Sequence, residues 1–149
     1  MGAVHRPLLI CLLLTACGAE PEVHVYPDGT TFRRLERHEG HFHGMWEAFH
    51  PDGSPWETGR YQHGLKDGAW QILGADGSIR ERGSFDEGVR VGPWIHVDEA
   101  GVRSEGAWQD GDKHGAWEYH DLDGVRIRRE TWDAGTRLEV ESFAANPAE

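Results

Sequence analysis

Cysteine and positive charge are both scarce in this chain. Only Cys11 and Cys17 occur among its 149 residues, and 15 Lys and Arg stand against 26 Asp and Glu, a formal net charge of −11. Cys11 lies in an apolar run near the N-terminus, which leaves Cys17 alone in the rest of the chain and excludes an internal disulfide there. An acidic protein repels nucleic acid and anionic lipid headgroups at long range, so nucleic-acid binding is disfavoured.

Long helices and the signatures of catalysis are lacking as well. Between residues 27 and 135 no stretch of more than ten residues is free of glycine and proline, which disfavour helix interiors. The sequence contains no Gly-x-Ser-x-Gly nucleophile elbow and no phosphate-binding glycine loop. It therefore predicts a protein that is not an enzyme and uses no cofactor.

The N-terminal segment has the features of a secretory signal peptide. His5 and Arg6 precede an apolar run at residues 8–14, which is too short to span a bilayer as a helix. The run is followed by LTAC at residues 14–17. This tetrapeptide resembles the lipobox of bacterial lipoproteins, which implies cleavage before Cys17 and lipid attachment to that residue. Ordinary cleavage nearby, with Cys17 incidental, is the alternative.

Lipidation of Cys17 sets the expected location of the protein. Removal of residues 1–16 takes away one basic residue, Arg6, and leaves 14 basic and 26 acidic residues, a net charge of −12. Acyl chains anchor a protein firmly because each buried methylene contributes about 0.8 kcal/mol. In such lipoproteins an Asp after the cysteine favours the inner membrane. Here that residue is Gly18, so the resemblance implies an outer-membrane anchor, with the protein facing the periplasm.

Four patterns recur every 24 residues along the remaining chain. Gly-x-Trp begins at Gly44, Gly68, Gly92 and Gly115. A turn glycine, preceded by Asp in all copies but one, recurs at Gly29, Gly53, Gly77, Gly101 and Gly124. Gly-x-aromatic begins at Gly59, Gly83 and Gly106, and a further glycine recurs at Gly40, Gly64, Gly88, Gly111 and Gly135. All four series share one step of 23, where a residue is missing between Gly101 and Gly106. The chain is therefore a repeat protein.

Each repeat is expected to fold as a β-hairpin. Asp-Gly is a strong hairpin signal, and it is flanked here by segments of about six residues rich in aromatic and β-branched side chains. The predicted fold is all-β, an array of β-hairpin repeats that forms an extended, twisted antiparallel sheet. The repeated glycine and aromatic positions resemble the MORN repeat, most closely its bacterial variant in antitoxin-like proteins, over about residues 20–143. That resemblance implies diverse roles, including protein scaffolding, lipid contact and, for some members, antitoxin activity.

Centring the loops predicts the register between strands. Tyr61 is expected opposite Trp70, with the equivalent pairs Phe85 and Trp94, and Trp108 and Trp117. Across the Asp-Gly turns Trp46 is expected opposite Gly59, and Trp70 opposite Gly83, so that each ring covers exposed backbone. The aromatic residues expected to form the core are Trp46, Tyr61, Trp70, Phe85, Trp94, Trp108, Trp117 and Trp132.

The expected organisation is a signal peptide at 1–16, a tether at 17–22, a repeat domain at 23–143 and a disordered tail at 144–149. The first repeat, 23–40, is divergent, and three full repeats follow at 41–64, 65–88 and 89–111. In the unit at 112–135 Glu130 replaces a glycine, which suits a cap, since a terminal repeat has a neighbour on one side only. Residues 136–143 are expected to add an edge strand whose charges discourage further pairing.

A cluster of histidines is the nearest approach to a metal site. His38, His41 and His43 flank one turn, and three imidazoles suit Zn or Cu. The alternative is that His41 and His43 are solvated loop residues, because the equivalent positions of the next repeat hold Leu65 and Asp67.

The seven tryptophans and the repeated carboxylates each have two readings. Flat indoles suit a sugar or choline platform, but all of them except Trp56 stand at repeat positions, which favours core packing. Glu57 and Glu81 recur at one repeat position. Acid–base catalysis needs two carboxyls in unlike environments, so this recurrence favours a structural feature of the sheet surface.

The sequence thus predicts a non-enzymatic, membrane-anchored lipoprotein of the bacterial envelope that binds a protein partner or another envelope component. Two alternatives stay open. One is an antitoxin or immunity-like protein that neutralises a toxic partner, and the other is a metal-binding protein at His38, His41 and His43. The sequence fixes neither the partner nor the oligomeric state.

Overall fold

The computed structural model describes residues 21–143, which form one open sheet of eleven antiparallel strands. Each strand pairs with its neighbours in sequence. The strands are β1 Glu22–Val25, β2 Thr31–His38, β3 His41–Phe49, β4 Pro55–Gln62, β5 Leu65–Leu73, β6 Ile79–Asp86, β7 Val89–Val97, β8 Arg103–Gln109, β9 Asp112–His120, β10 Arg126–Asp133 and β11 Thr136–Ser142. The predicted all-β hairpin array is confirmed. The predicted signal peptide and tail lie outside the described residues.

The turns at Gly29, Gly53, Gly77, Gly101 and Gly124 are three-residue loops, and in four of them Asp precedes the glycine. At Asp52-Gly53 the backbone N–H of Gly53 donates to the carbonyl of His50 (2.9 Å), and that of His50 donates to the carbonyl of Ser54 (2.9 Å). Gly53 has φ of 82°, so a type I turn is followed by a left-handed residue that forms a bulge. The Asp52 carboxylate accepts hydrogen bonds from the N–H and hydroxyl of Ser54 (2.8 and 2.6 Å). Asp therefore stabilises this turn through the hydrogen bonds that its side chain accepts.

The alternate turns have two residues, both with positive φ. At the turn between β4 and β5, His63 has φ of 50° and Gly64 has φ of 84°. Positive φ at both positions defines the type I′ turn, whose twist matches that of a hairpin. The first position is filled by different residues in the other four copies, Glu39, Glu87, Asp110 and Ala134. Apart from Asp110-Gly111, these dipeptides carry a weaker sequence signal than Asn-Gly or Asp-Gly, although their turns are the tighter ones.

The two-residue turns overturn part of the predicted register. Tyr61 lies opposite Lys66 rather than Trp70. In the later repeats Phe85 lies opposite Arg90, and Trp108 lies opposite Lys113. The three predicted aromatic pairs across these turns are wrong as backbone partners, because the loop was centred two residues too far along the chain.

A bulge nevertheless brings the rings together. Opposite the single residue Gly59 in β4, strand β5 carries three residues, 68–70. This bulge lays the indole of Trp70 over Gly59, where the missing side chain leaves room for it. The rings of Tyr61 and Trp70 are then perpendicular, at 82°, with centroids 5.1 Å apart. The predicted ring contact exists although the predicted backbone pairing does not.

The register across the Asp-Gly turns is confirmed, with one change in the packing. Trp46 lies opposite Gly59, and Trp70 lies opposite Gly83, as the loop centring predicts. The ring that covers Gly59, however, is that of Trp70, and the ring that covers Gly83 is that of Trp94. Each glycine is thus covered from the opposite side to the one expected.

The aromatic rings share one face of the sheet, called the aromatic face below. The indoles of Trp70, Trp94 and Trp117 are buried, whereas the other five predicted core residues, Trp46, Tyr61, Phe85, Trp108 and Trp132, are half-buried. Neighbouring rings meet edge to face, with centroids 5.1 Å apart for Phe85 and Trp94 and 5.8 Å apart for Trp108 and Trp117. Such pairs contribute about 0.5–1.5 kcal/mol each beyond the area they bury.

The two ends of the array have larger residues at the glycine position. Leu35 in β2 is 1% exposed, and Glu130 in β10 is 3% exposed. With Leu35 in place, the Trp46 Nε1–H donates to Glu57 (2.9 Å) instead of to a backbone carbonyl. Strand β11 is exposed along its whole length and contains no tryptophan. The space that an indole fills elsewhere is taken at these ends by an aliphatic or a carboxylate side chain.

The repeat that is one residue short has lost a bulge. In β4 Trp56 is an extra residue between the pairs Ala48–Glu57 and Phe49–Pro55. The pairing of β7 with β8 has no such shift. The residue missing between Gly101 and Gly106 is therefore the bulge residue, and its loss leaves the rest of the repeat in register. Trp56, the tryptophan outside the repeat pattern, occupies such a bulge and is 37% exposed.

Candidate functional site

A row of cations lies over the indoles of the aromatic face. The Lys66 Nζ is 3.9 Å from the ring centroid of Trp70, and the Lys113 Nζ is 4.1 Å from that of Trp117. Between them, the Arg90 guanidinium carbon is 4.6 Å from the Trp94 ring. Each cation is placed by the two-residue turn just before it, at the same position of three successive repeats. Contacts of this kind contribute about 0.5–2 kcal/mol, and the higher value applies to desolvated pairs.

Carboxylates from the preceding strand neutralise two of these cations. Glu57 pairs with Lys66 at 2.9 Å, and Glu81 pairs with Arg90 at 2.6 Å. The third position is different, because Ser104 stands where the earlier repeats have Glu57 and Glu81. Lys113 donates instead to the hydroxyl of Tyr119 (3.2 Å). Burial lowers the pKa of Lys113, and the charge of Glu130 only partly offsets this effect.

Two grooves open on the aromatic face, one repeat apart. The first has a volume of about 40 Å³ and is lined in part by Trp70, Ile72, Glu81, Phe85, Arg90 and Trp94. The second has a volume of about 280 Å³. It is lined by the counterparts of those residues in the next repeat, Trp94, His96, Ser104, Trp108, Lys113 and Trp117, together with the ion pair of Glu81 and Arg90. The second groove, called the Lys113 groove below, is thus a widened copy of the first.

A hydrogen-bonded network around Glu130 closes the end of this face. The carboxylate of Glu130 accepts hydrogen bonds from the Tyr119 hydroxyl (2.7 Å), the Trp132 Nε1–H (3.1 Å) and Arg137 (3.2 Å). Burial alone would raise the pKa of Glu130, but these hydrogen bonds and the charge of Arg128 outweigh it and lower the pKa. Burial, with the hydrogen bond to Glu130, raises the pKa of Tyr119 to about 12. The network therefore holds an ionised carboxylate beside a neutral phenol.

The predicted histidine cluster is rearranged in the fold. His43 lies between His38 and His63, with ring centroids 5.7 and 5.5 Å away. His41 lies near Gly64 on the next turn. His63, which no repeat position singles out, is the histidine that the sequence analysis missed. A metal site at His38, His41 and His43, the alternative raised by the sequence, stays an alternative.

A different group has the spacing of metal ligands. Within residues 21–143, ligand atoms of Glu105, Glu118 and His120 all lie within 4.8 Å of one another. The two carboxylates are already paired, Glu105 with Arg103 at 2.6 Å and Glu118 with Arg126 at 2.8 Å. These ion pairs give both glutamates a structural role without a metal.

The proposed lipid anchor, Cys17, lies outside the described residues. No helix in the described part of the chain is long and apolar enough to cross a membrane. The predicted turn glycines, Gly29, Gly53, Gly77, Gly101 and Gly124, all lie in turns between strands and have positive φ.

The replacement of the repeated glutamate by Ser104, beside Lys113, could have been found from the sequence alone. When the repeats are aligned on Gly59, Gly83 and Gly106, Ser104 falls in the column of Glu57 and Glu81. An uninterrupted spacing of 24 residues points instead to Glu105, so the missing residue hides the substitution. Comparison with known proteins found no family and no curated protein that matches this chain.

Proposed function

We propose that this protein is a non-enzymatic binding protein of the bacterial envelope, held by lipid at Cys17, which uses its aromatic face to recognise a protein partner or another envelope component. The observation that carries the proposal is the open aromatic face itself. The eleven described strands make a single layer, so no second layer from residues 21–143 covers the half-buried rings of Tyr61, Phe85 and Trp108 or the cations beside them. The resemblance of the repeats to the bacterial MORN variant is consistent with a role in binding.

The composition of this face suits an interface. Aromatic residues and arginine are enriched in protein–protein contacts, and they dominate the residues whose truncation weakens binding most. Eleven strands about 4.8 Å apart extend over about 48 Å, which is long enough for an interface of ordinary size. The repeated carboxylates Glu57 and Glu81 are engaged in ion pairs with Lys66 and Arg90, which supports a structural rather than a catalytic role.

The position of the anchor orients the array. Strand β1 begins at Glu22, five residues after Cys17. Five residues reach at most about 17 Å, so a lipid on Cys17 holds the β1 end of the sheet close to the membrane. The strands with the Lys113 groove then lie towards the far end.

Affinity capture from solubilised envelopes tests the binding role. The bait is the full lipidated chain, compared with two double variants that each remove two positive charges. Lys66→Gln with Arg90→Gln changes the aromatic face, whereas Arg60→Gln with Arg82→Gln changes the opposite face. We expect the first variant to lose the captured component and the second to retain it.

Each other result has a definite meaning. Equal retention by both variants would contradict the use of the aromatic face, and the absence of any specific component with the unaltered chain would contradict the binding role. A toxic protein among the captured components would place the chain with the antitoxins.

A further inference from the structure

In the groove one repeat earlier, the strand before the cation supplies a carboxylate, that of Glu81, which pairs with Arg90. In the Lys113 groove the equivalent residue is Ser104, so the cation there has no such partner. We propose that the Lys113 groove is a binding site for a carboxylate-bearing ligand, whose carboxylate takes the place that Glu57 and Glu81 occupy in the preceding repeats. This inference rests on the proposed binding role of the aromatic face and names the chemistry that the face recognises.

Comparison of the repeats supplies the main argument. The cations Lys66 and Arg90 each have a carboxylate oxygen within 2.9 Å, provided by the strand before them. Among the described residues, no carboxylate oxygen lies within 4.0 Å of the Lys113 ammonium. The Ser104 hydroxyl, at the equivalent position, bonds to the carbonyl of His96 at 3.3 Å. The third repeat therefore keeps the cation and the indole but lacks their anionic partner.

The volume of the groove provides the room for a ligand. The first groove, with Glu81 in its wall, holds about 40 Å³. The Lys113 groove, with Ser104 at that position, holds about 280 Å³. This space is slightly smaller than the pockets that take drug-sized molecules, which begin near 300 Å³. It suits one acidic side chain or a small organic acid.

The groups around this space favour an anion with an apolar body. The Lys113 ammonium is the charged donor that lines this space, whereas the Ser104 hydroxyl beside it donates to the His96 carbonyl; the side chain of His96 is exposed. The indoles of Trp108 and Trp117 provide flat apolar walls.

The neighbouring charges are already engaged. Arg90 is paired with Glu81 on one side of the groove, and Glu130 is held by Arg128 and Arg137 on the other. A charge-assisted hydrogen bond to a partly desolvated ammonium is stronger than one made in water. The Lys113 ammonium, which donates to the Tyr119 hydroxyl but has no carboxylate partner among the described residues, is thus the contact for an incoming carboxylate.

Two sources can supply such a carboxylate, an acidic residue of a partner protein or a free organic acid. We would titrate the full chain in detergent with benzoate and with the peptide acetyl-Gly-Glu-Gly-amide, following the indole N–H signals of Trp94 and Trp117 by NMR. Benzamide and acetyl-Gly-Gln-Gly-amide are the uncharged controls. We expect saturable binding of at least one carboxylate, at least tenfold tighter than that of its amide counterpart. Tighter binding of the peptide indicates a protein source, and tighter binding of benzoate indicates a small acid.

Variants at two positions test the geometry. Ser104→Glu restores the carboxylate that the other repeats have, so we expect at least a tenfold loss of ligand affinity together with a higher melting temperature. Ser104→Ala leaves the position open and should keep affinity within about threefold. Lys113→Met keeps most of the length of the side chain, removes the charge and should abolish binding; this variant still tests the inference if Ser104→Glu fails to fold.

The inference is overturned if carboxylates and amides bind equally, if neither carboxylate saturates, or if Lys113→Met binds as the unaltered chain does. Its failure is separable from failure of the proposed function. A chain that captures an envelope component through the aromatic face but shows no selective carboxylate binding contradicts this inference alone. A chain that binds carboxylates but captures nothing contradicts the envelope-binding role alone.

Discussion

The indole of Trp70 lies over the backbone of Gly59 on the neighbouring strand, in the space that a side chain at residue 59 would fill. Its Nε1–H donates to the carbonyl of Arg60 at 3.1 Å, and the residue is 4% exposed. Gly59 does not have positive φ, so what requires glycine here is the close approach of a ring rather than the geometry of a turn. The same arrangement recurs for Trp94 over Gly83 and for Trp117 over Gly106.

A double-mutant cycle tests this contact. We expect Trp70→Ala to lower the free energy of unfolding by about 3–5 kcal/mol, because a buried ring is removed. Gly59→Ala should cost about 1–3 kcal/mol in the unaltered chain, where the new methyl group overlaps the indole, and almost nothing once Trp70 is alanine. Urea unfolding provides the measurement. Additive effects of the two changes would show that the ring does not depend on Gly59, and Trp56→Ala, at an exposed position, serves as the control.

The turn at Ala134-Gly135 offers a stabilising substitution. Ala134 has φ of 41°, a conformation in which its methyl group is unfavourable and in which Asn is common. We expect Ala134→Asn to raise the free energy of unfolding by about 0.5–1 kcal/mol and the melting temperature by about 2–5 °C. Thermal unfolding followed by circular dichroism checks this. The same change at Ala69, an exposed strand residue outside the set with positive φ, should give no gain, and a gain at both sites would refute the explanation.

The buried carboxylate of Glu130 should make the protein sensitive to acid. Its folded-state pKa lies below the ordinary glutamate value of 4.5. The unfolded chain therefore binds more protons in acid, and the stabilisation, fully present above about pH 4.5, is lost as pH falls through the folded-state pKa.

Glu130→Gln should remove this part of the pH dependence. Below pH 4.5 the stability of the variant should change less with pH than that of the unaltered chain. At pH 7 the variant should lose about 1.5–3 kcal/mol, the cost of weakening hydrogen bonds to a charged group. Urea unfolding between pH 3 and pH 7 gives both quantities. Glu99→Gln, in an exposed turn, should keep the original pH dependence; a Glu130→Gln profile parallel to that of the unaltered chain would exclude this role for Glu130.

Loss of the proposed acyl anchor should change the location of the protein. We expect Cys17→Ser to move it from the membrane fraction to the soluble fraction, because the acyl chains would be lost and an acidic chain is repelled by anionic headgroups. Fractionation followed by immunoblotting measures the distribution, and Ser104→Ala, which keeps the anchor, is the control. Retention of Cys17→Ser on the membrane would contradict lipidation at this residue.

The repeat architecture could be predicted because it depends on local features that the sequence repeats. The turn glycines and the aromatic residues of the core reappear at a fixed spacing, so that four sets of residues report on the same hairpin. The pairing of Trp46 with Gly59 followed from that spacing alone. The existence and order of the strands, and the composition of the aromatic face, could therefore be predicted from the sequence.

The register at the other turns was not predictable in the same way. Dipeptides such as His63-Gly64 and Ala134-Gly135 carry one favourable residue each, and their two-residue turns form because the flanking strands pair. The bulge at residues 68–70 compensates for the shorter turn; it coincides with the recurring Gly-x-Trp, in which Gly68 has φ of 68°, but the spacing of that pattern does not identify it as a bulge. The Lys113 groove depends on both features, since they decide which cation lies beside which indole.

Leu35 and Glu130, the two residues that fill the glycine position at the ends of the sheet, also bear on how such a chain changes in length. A unit inserted between two central copies meets the same glycine and indole on both sides and can be accommodated as its neighbours are. A unit added beyond either end would instead pair with β1 or β11, the edge strands, neither of which contains a tryptophan. The described sheet is therefore built to lengthen from within rather than at its ends.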